Sequence, residues 1–150
     1  MQIYNFPKEK YDQGLLIDCF KLSQVSNIIN TDKPFTTSFH EVVFITKGTG
    51  TFKINNVNYD FTAGSTFFLT PSKLRNCVSD PDLFEGFVLM FEESFIANFF
   101  NDTFFLYRFH YFYNNEYPPT MDIHSRYDFK IIQSISCVSF ISFPIIPFLK

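Results

Sequence analysis

The chain has 150 residues, a net charge of −3, and 23 Phe and 8 Tyr but no Trp. This length suits one domain with a hydrophobic core and is too short for two. The acidic balance excludes the clustered basic surface that a nucleic-acid-binding domain needs, so this chain alone is a poor candidate for a DNA-binding protein.

The cysteines and the N-terminal residues indicate a cytoplasmic location. Cys19, Cys77 and Cys137 are odd in number, widely spaced and in no CxxC arrangement, which predicts reduced, buried thiols. Four charged side chains within residues 8–12 precede any apolar run, and a secretory signal would not begin in this way. We expect residues 1–14 to be a mobile N-terminal arm.

Short apolar runs separated by turn residues follow one another from residue 15 onward. Alternation of apolar and polar residues in several of them is typical of half-buried strands. Their close, even spacing favours a sandwich or barrel over βαβ units. The predicted strands are Leu15–Leu22, Phe39–Thr46, Thr51–Ile54, Val57–Phe61, Ser65–Leu69, Leu74–Val78 and Phe84–Phe91.

Glycines mark two special positions in this series. Gly48 and Gly50 lie between two apolar runs and predict a hairpin turn, since glycine accepts the positive φ that such turns need. Gly86 lies within a predicted strand, where a glycine typically allows a bend or a bulge.

A change of period after the strands predicts a short helix. Phe91, Phe95 and Phe99 are four residues apart, and Glu92 and Glu93 lie where the helix dipole favours acidic side chains.

The last part of the chain is unusual. Residues 126–135 predict the opening turns of a second helix, and residues 136–150 form an apolar tail without charge until the final lysine. Pro144 and Pro147 interrupt this tail, whereas a membrane-spanning helix needs about 20 mostly apolar residues, so we do not predict a membrane protein.

Two pairs of residues have a spacing similar to that of the two cupin motifs, which build a small β-barrel. Glu41 and Gly48 are separated by six residues, and so are Gly64 and Pro71. In cupins, two histidines normally precede the glutamate and another follows the proline. Here residues 35–38 contain no histidine, and an arginine, Arg75, follows the proline. The resemblance to a cupin without its metal ligands implies a ligand sensor rather than an enzyme.

The segment from Phe39 to Phe91 further resembles the N-terminal sensing domain of AraC-type bacterial transcription regulators. The residues that carry the resemblance are EVVFITKGTGTFKINN, YDFTAGSTFFLTPSKLR and EGFVLMFEESF, in this order. The resemblance covers about residues 15–135. It implies an all-β, cupin-like jelly-roll barrel (a double-stranded β-helix) that binds a small-molecule effector, for example a carbohydrate, and that is able to form a homodimer.

In that family a dimerising helix and a DNA-binding pair of helix-turn-helix motifs follow the sensing domain. This chain shows no helix-turn-helix pattern, and residues 136–150 do not resemble the linker helix. A truncation or a frameshift would explain both departures. The resemblance therefore implies contact with DNA only through a part that this sequence lacks. An inactive fragment is a further alternative.

Six residues are candidates for ligand contacts. The Arg75 guanidinium, if it faces the pocket, would bind a carboxylate or sugar hydroxyls; the alternative is a solvent-facing strand arginine. Glu41 is either a pocket residue or a surface carboxylate. His40 next to it points to the opposite face of the strand, and it is either a hydrogen-bonding pocket residue or a partly exposed or satisfied strand histidine. The aromatic segment, Phe104 to Tyr113 (FFLYRFHYFY), mixes rings with hydrogen-bond donors, and the alternative is that it packs under the barrel. Its candidates are Tyr107, Arg108 and His110.

Enzymatic chemistry has little support in the sequence. His40, His110 and His124 are not within metal-ligand spacing of one another, and there is no G-x-S-x-G nucleophile motif. We therefore predict no cofactor, no metal and no catalytic residue. The rival hypothesis is a stand-alone cupin enzyme that acts on a small molecule, and the metal content of the purified protein would separate the two.

Overall fold

Two five-stranded sheets face each other in the computed structural model, which describes residues 1–6, 16–29 and 33–123. The strands are β1 (Gln2–Tyr4), β2 (Ile17–Lys21), β3 (Phe35–Thr37), β4 (His40–Gly48), β5 (Gly50–Ile54), β6 (Val57–Phe61), β7 (Ser65–Leu69), β8 (Arg75–Cys77), β9 (Phe84–Phe91) and β10 (Thr120–Asp122). The helices are α1 (Ser26–Ile29), α2 (Glu93–Phe99), α3 (Phe105–Arg108) and α4 (His110–Tyr113), with 3₁₀ turns at Leu22–Val25 and Pro81–Leu83.

The strand order is that of a cupin-like jelly roll, as predicted. One sheet has the order β1-β3-β8-β5-β6 and the other β10-β7-β4-β9-β2, so strands that follow each other in the chain often lie in different sheets. The long strand β4 is central in the second sheet, where Val43 pairs with Phe67 on β7 and with Val88 on β9. Among the strands of the described residues, the two sheets are not closed into a continuous barrel.

Strand β4 is buried on both faces, which explains its nearly continuous apolar sequence. Its inward face, with Val43 and Ile45, belongs to the main core between the sheets. Its outward face is covered by α2, α3 and α4, where Phe68 and Phe91 of the neighbouring strands pack against Leu106 and Phe112. A sheet covered on both sides needs apolar residues at successive positions rather than alternate ones.

The hairpin predicted at Gly48 and Gly50 is wrong, because β4 and β5 lie in different sheets and do not pair, whereas the irregularity predicted at Gly86 is confirmed. Gly48 has φ +86°, and a Cβ atom there would lie 2.1 Å from the Leu83 carbonyl oxygen. Both the positive φ and the lack of space for a side chain therefore require glycine at this turn. Gly86 lies opposite a register shift between Ile45 and Lys47 on β4, which is the predicted irregularity.

Several elements were not predicted. The segment after β2 forms a 3₁₀ turn and α1, and the aromatic segment contains α3 and α4. Strands β1, β3 and β10 have three residues each and pair at or near sheet edges, and so short a segment has no readable period.

The helix predicted after β9 is confirmed as α2. Residues 2–4 of the predicted N-terminal arm form β1, which pairs in parallel with β3. The described residues do not include the predicted helix at 126–135, the apolar tail at 136–150, His124, Cys137, residues 7–14 of the predicted arm or Leu15 of the first predicted strand. In the part of the chain that is described, no helix has the length and apolar character needed to cross a membrane.

Candidate ligand-binding site

A cavity lies between the two sheets of the jelly roll. Its volume is about 60 Å³. Apolar side chains of both sheets and of the segment after β2 form most of its walls, among them Leu22, Ile28, Phe52, Phe67, Val88 and Met90.

A buried ion pair forms the polar end of this cavity. Glu41 on β4 and Arg75 on β8 come from opposite sheets, and Nη2 of Arg75 lies 2.6 Å from Oε2 of Glu41. Arg75 is only 4% exposed. Arg75 is therefore not a solvent-facing strand arginine, and Glu41 is not a surface carboxylate, so these two alternatives from the sequence are wrong.

The rest of the Arg75 guanidinium is held by polar groups at the same end of the barrel. Nη1 donates to the carbonyl oxygens of Thr70, at 3.3 Å, and Lys73, at 3.0 Å, and Nη2 donates to Oγ1 of Thr37. The guanidinium also lies over the Phe35 ring, 5.7 Å from its centroid. Nε is buried and has no hydrogen-bond partner among the described residues, so one donor of the guanidinium is unsatisfied.

Burial dominates the electrostatics of this pair. It raises the pKa of Glu41 above its usual range, although the charge and hydrogen bond of Arg75 act in the opposite direction. It also lowers the pKa of Arg75, although Glu41 opposes that change. Both directions show that the loss of hydration outweighs the attraction between the charges, as is typical of buried ion pairs.

His40 lies on the other face of β4, as the strand alternation predicted, and does not line the cavity. Its ring stacks on Phe91, with centroids 5.4 Å apart, and its Nε2 shares a 2.7 Å hydrogen bond with the Tyr113 hydroxyl. Burial, together with the charge of Arg75, lowers the pKa of His40 to about 4. His40 thus links the sheet to α4 in its neutral form.

This arrangement predicts a loss of stability in mild acid. Because the folded pKa of about 4 lies below the usual 6.5, the unfolded chain binds more protons between these values. The contribution of His40 is fully present above about pH 6.5 and disappears as the pH falls towards 4, at a cost of roughly 2–3 kcal/mol. Urea unfolding across this pH range measures it. His40→Phe should flatten the dependence of the free energy of unfolding on pH, whereas His110→Phe, at an exposed position, should not. Equal pH dependence in all three proteins would contradict the assignment of the acid-induced loss to His40.

The aromatic candidates lie outside the cavity, in the layer that covers the outward face of the second sheet. Tyr107 is exposed and stacks on Tyr113, with ring centroids 4.5 Å apart, and Arg108 forms an ion pair with Asp102. His110 begins α4. The structure therefore brings Glu41 and Arg75 together and leaves the other four candidates elsewhere, and a ligand contact by any of these stays a prediction.

Thr37 is a contact that the sequence did not single out. It occupies part of the segment where the cupin histidines would stand, and its hydroxyl accepts from Arg75 and donates to the Phe39 carbonyl at 2.8 Å. No local signal in the sequence could have found it, because a three-residue strand that is buried throughout has no readable period. Within residues 1–6, 16–29 and 33–123, no three His, Cys, Asp or Glu side chains are grouped to hold a metal ion.

One protein-family model matches more than half of the chain, and several solved structures resemble it distantly. The model of the AraC-like ligand binding domain matches residues 31–125. No curated protein sequence matches the chain. Three similar solved structures are a Cupin 2 conserved barrel domain protein from Salinispora arenicola, apo ToxT from Vibrio cholerae and a cupin protein from Bacteroides fragilis.

The similarity to these structures is distant. The Salinispora protein is 17% identical, with a TM-score of 0.36 over 42% of this chain and 54% of its own. ToxT is 15% identical, with a TM-score of 0.48 over 87% of this chain and 48% of its own. The Bacteroides protein is 15% identical, with a TM-score of 0.34 over 49% of this chain and 61% of its own. The chain thus spans between about half and three fifths of each of these proteins.

Proposed function

Because this chain belongs to the family of AraC-like ligand-binding domains, we propose that it senses a small apolar molecule with an acidic head group, as the effector domain of a transcription regulator. The observation that carries the proposal is the buried Arg75–Glu41 pair at the end of an otherwise apolar cavity.

The apolar walls favour a largely apolar ligand. Each sugar hydroxyl that is buried without a hydrogen-bond partner costs about 1–3 kcal/mol, and the walls of this cavity supply few partners. An alkyl or aromatic group would instead gain about 25 cal/mol for each Å² of apolar surface removed from water. The carbohydrate effector expected from the family resemblance is therefore the weaker alternative.

Arg75 favours an acid as the head group. A guanidinium presents its donors in a planar fork that suits a carboxylate, and hydrogen bonds to a charged group are worth about 1.5–3 kcal/mol. The free Nε donor is already buried at the cavity, so it needs no further desolvation when a ligand arrives. Glu41 occupies the position of such a carboxylate in the ligand-free protein.

In a complete regulator, a ligand would act by population shift, because it stabilises the one arrangement of the domain that binds it better. The DNA-binding part would lie outside these 150 residues, and contact with DNA, homodimer formation and a cytoplasmic location are parts of this proposal. We propose no enzymatic activity for the domain. Stoichiometric Fe, Mn, Ni or Zn in the purified protein would instead favour the rival cupin enzyme.

Calorimetric titration with octanoate, 1-octanol and glucose tests the ligand class. We expect octanoate to bind, and Arg75→Met to weaken its binding about 10- to 100-fold while leaving 1-octanol unaffected, since only the acid uses the guanidinium. Arg108→Met is the matched control, because Arg108 is exposed and paired with Asp102, and it should leave octanoate binding unchanged. Binding of glucose alone, or equal octanoate affinity in both arginine variants, would overturn the proposed ligand class.

A further inference from the structure

We propose that binding of an acidic ligand in this cavity is coupled to the uptake of one proton by Glu41, whose carboxylate the ligand replaces beside Arg75. This inference rests on the proposed function, since it takes the apolar acid as the ligand.

The geometry leaves room for one negative charge only. Arg75 is the single cation that contacts Glu41 among the described residues, and both side chains are buried at the polar end of an apolar cavity. A second carboxylate at this end would leave one buried charge without a counter-charge. Such a charge is expensive enough that the group normally takes up a proton instead.

The other titratable side chains near the pair do not supply that counter-charge. His40 points to the opposite face, towards Tyr113, and Lys73 is half-buried with its Nζ directed to the Phe112 carbonyl at 3.4 Å. Burial lowers the pKa of Lys73 and raises that of Cys77, which lines the cavity in its neutral thiol form. Tyr4, the remaining titratable side chain of the wall, carries a phenol and no positive charge.

Glu41 is the group prepared to take the proton. Burial already raises its pKa, and the contact with Arg75 is what opposes that rise. When a ligand carboxylate takes over the guanidinium, the opposing influence weakens and the pKa of Glu41 rises further. A proton from solvent then forms an O–H bond on the Glu41 carboxyl, and no bond of the ligand breaks.

Proton uptake makes the affinity depend on pH. Where Glu41 is ionised in the free protein, the dissociation constant for octanoate should rise about tenfold for each pH unit. Octanoate itself is ionised throughout the range from about pH 7 to 8.5, so it contributes no slope. The neutral 1-octanol displaces no carboxylate, and its affinity should stay constant over the same range.

The test is calorimetric titration of the full chain with octanoate in two buffers of different protonation enthalpy, HEPES and Tris. We expect close to one proton taken up for each octanoate bound and none for 1-octanol. Glu41→Gln should bind octanoate without proton uptake and without a pH slope. If this variant does not fold, the proton count of the unmodified chain decides alone.

The outcomes separate this inference from the proposed function. Octanoate binding without proton uptake would overturn the coupling and leave the ligand class intact. Binding of 1-octanol without binding of octanoate, or of neither, would overturn both.

Discussion

Arg75→Met should lower the free energy of unfolding by about 3–5 kcal/mol, because it leaves the Glu41 carboxylate buried without its counter-charge. Glu41→Leu should cost a similar amount, since it leaves the guanidinium alone in the same place. The double variant, Arg75→Met with Glu41→Leu, should be more stable than either single variant. Two apolar side chains of similar volume often replace a buried ion pair with little loss. Urea unfolding of the four proteins gives the coupling energy directly.

The pH dependence of Arg75→Met provides an independent check. Without the guanidinium, burial raises the pKa of Glu41 in the folded state without opposition, whereas the unfolded value stays near 4.5. The contribution of the neutral carboxyl is then present at low pH and is lost as the pH rises through the folded pKa. The stability of this variant should fall with rising pH more steeply than that of the unmodified chain.

Arg108→Met is the control for both measurements. Its guanidinium is 63% exposed and pairs with Asp102, so its replacement should change stability by no more than about 0.5 kcal/mol. If Arg75→Met also changes stability by less than about 1 kcal/mol, the ion pair is not desolvated in the way that the structure shows.

The strand series was readable from the sequence because its signals are local. From β4 to β9 each strand is bounded by a turn whose chemistry is specific, such as the positive φ of Gly48 or the proline after β7. The same applies to α2, where the spacing of Phe95 and Phe99 reports a helical period. These elements determined the fold class without any knowledge of distant contacts.

The site was only half readable, because its parts meet through long-range packing. Strand alternation separates His40 from Glu41, but it does not tell which of the two faces the cavity and which faces the helical layer. The answer depends on α4, which supplies Tyr113 from 73 residues away and covers the outward face of the sheet. Likewise, the ion pair depends on two strands that belong to different sheets, so neither sequence position reveals the burial of Arg75.

The aromatic segment shows the same limit of sequence-based prediction for residues that lie outside the cavity. Its rings and donors are typical of a binding site, and the sequence contains no signal that assigns them to the cavity or to the outer layer. Phe68 of β7 decides the matter in the structure, since Phe109, Tyr111 and Phe112 pack around it on the outward face. An aromatic segment thus predicts that its rings are buried, but it does not predict against which surface they pack.

Phe67→Ala should destabilise the domain by about 3–5 kcal/mol and should also change which ligands it prefers. Phe67 is fully buried and makes edge-to-face contacts with Phe52, at a centroid distance of 5.0 Å, and with Phe61, at 6.0 Å. Its side chain also lines the cavity, so the space that the ring leaves would join the ligand site. Phe99→Ala is the matched control, because Phe99 is 71% exposed and its loss should cost no more than about 0.5 kcal/mol.

The enlarged cavity gives this variant a second, functional readout. Dodecanoate should gain affinity relative to octanoate in Phe67→Ala, since its additional methylene groups fill the new space at about 0.8 kcal/mol each. At a concentration of 100 times its dissociation constant, dodecanoate should return about 2.7 kcal/mol of the lost stability. A variant that is destabilised as expected but keeps the chain-length preference of the unmodified protein would show that acids do not bind between the sheets. Arg75 and Phe67 would then have only a structural role and no role in ligand binding.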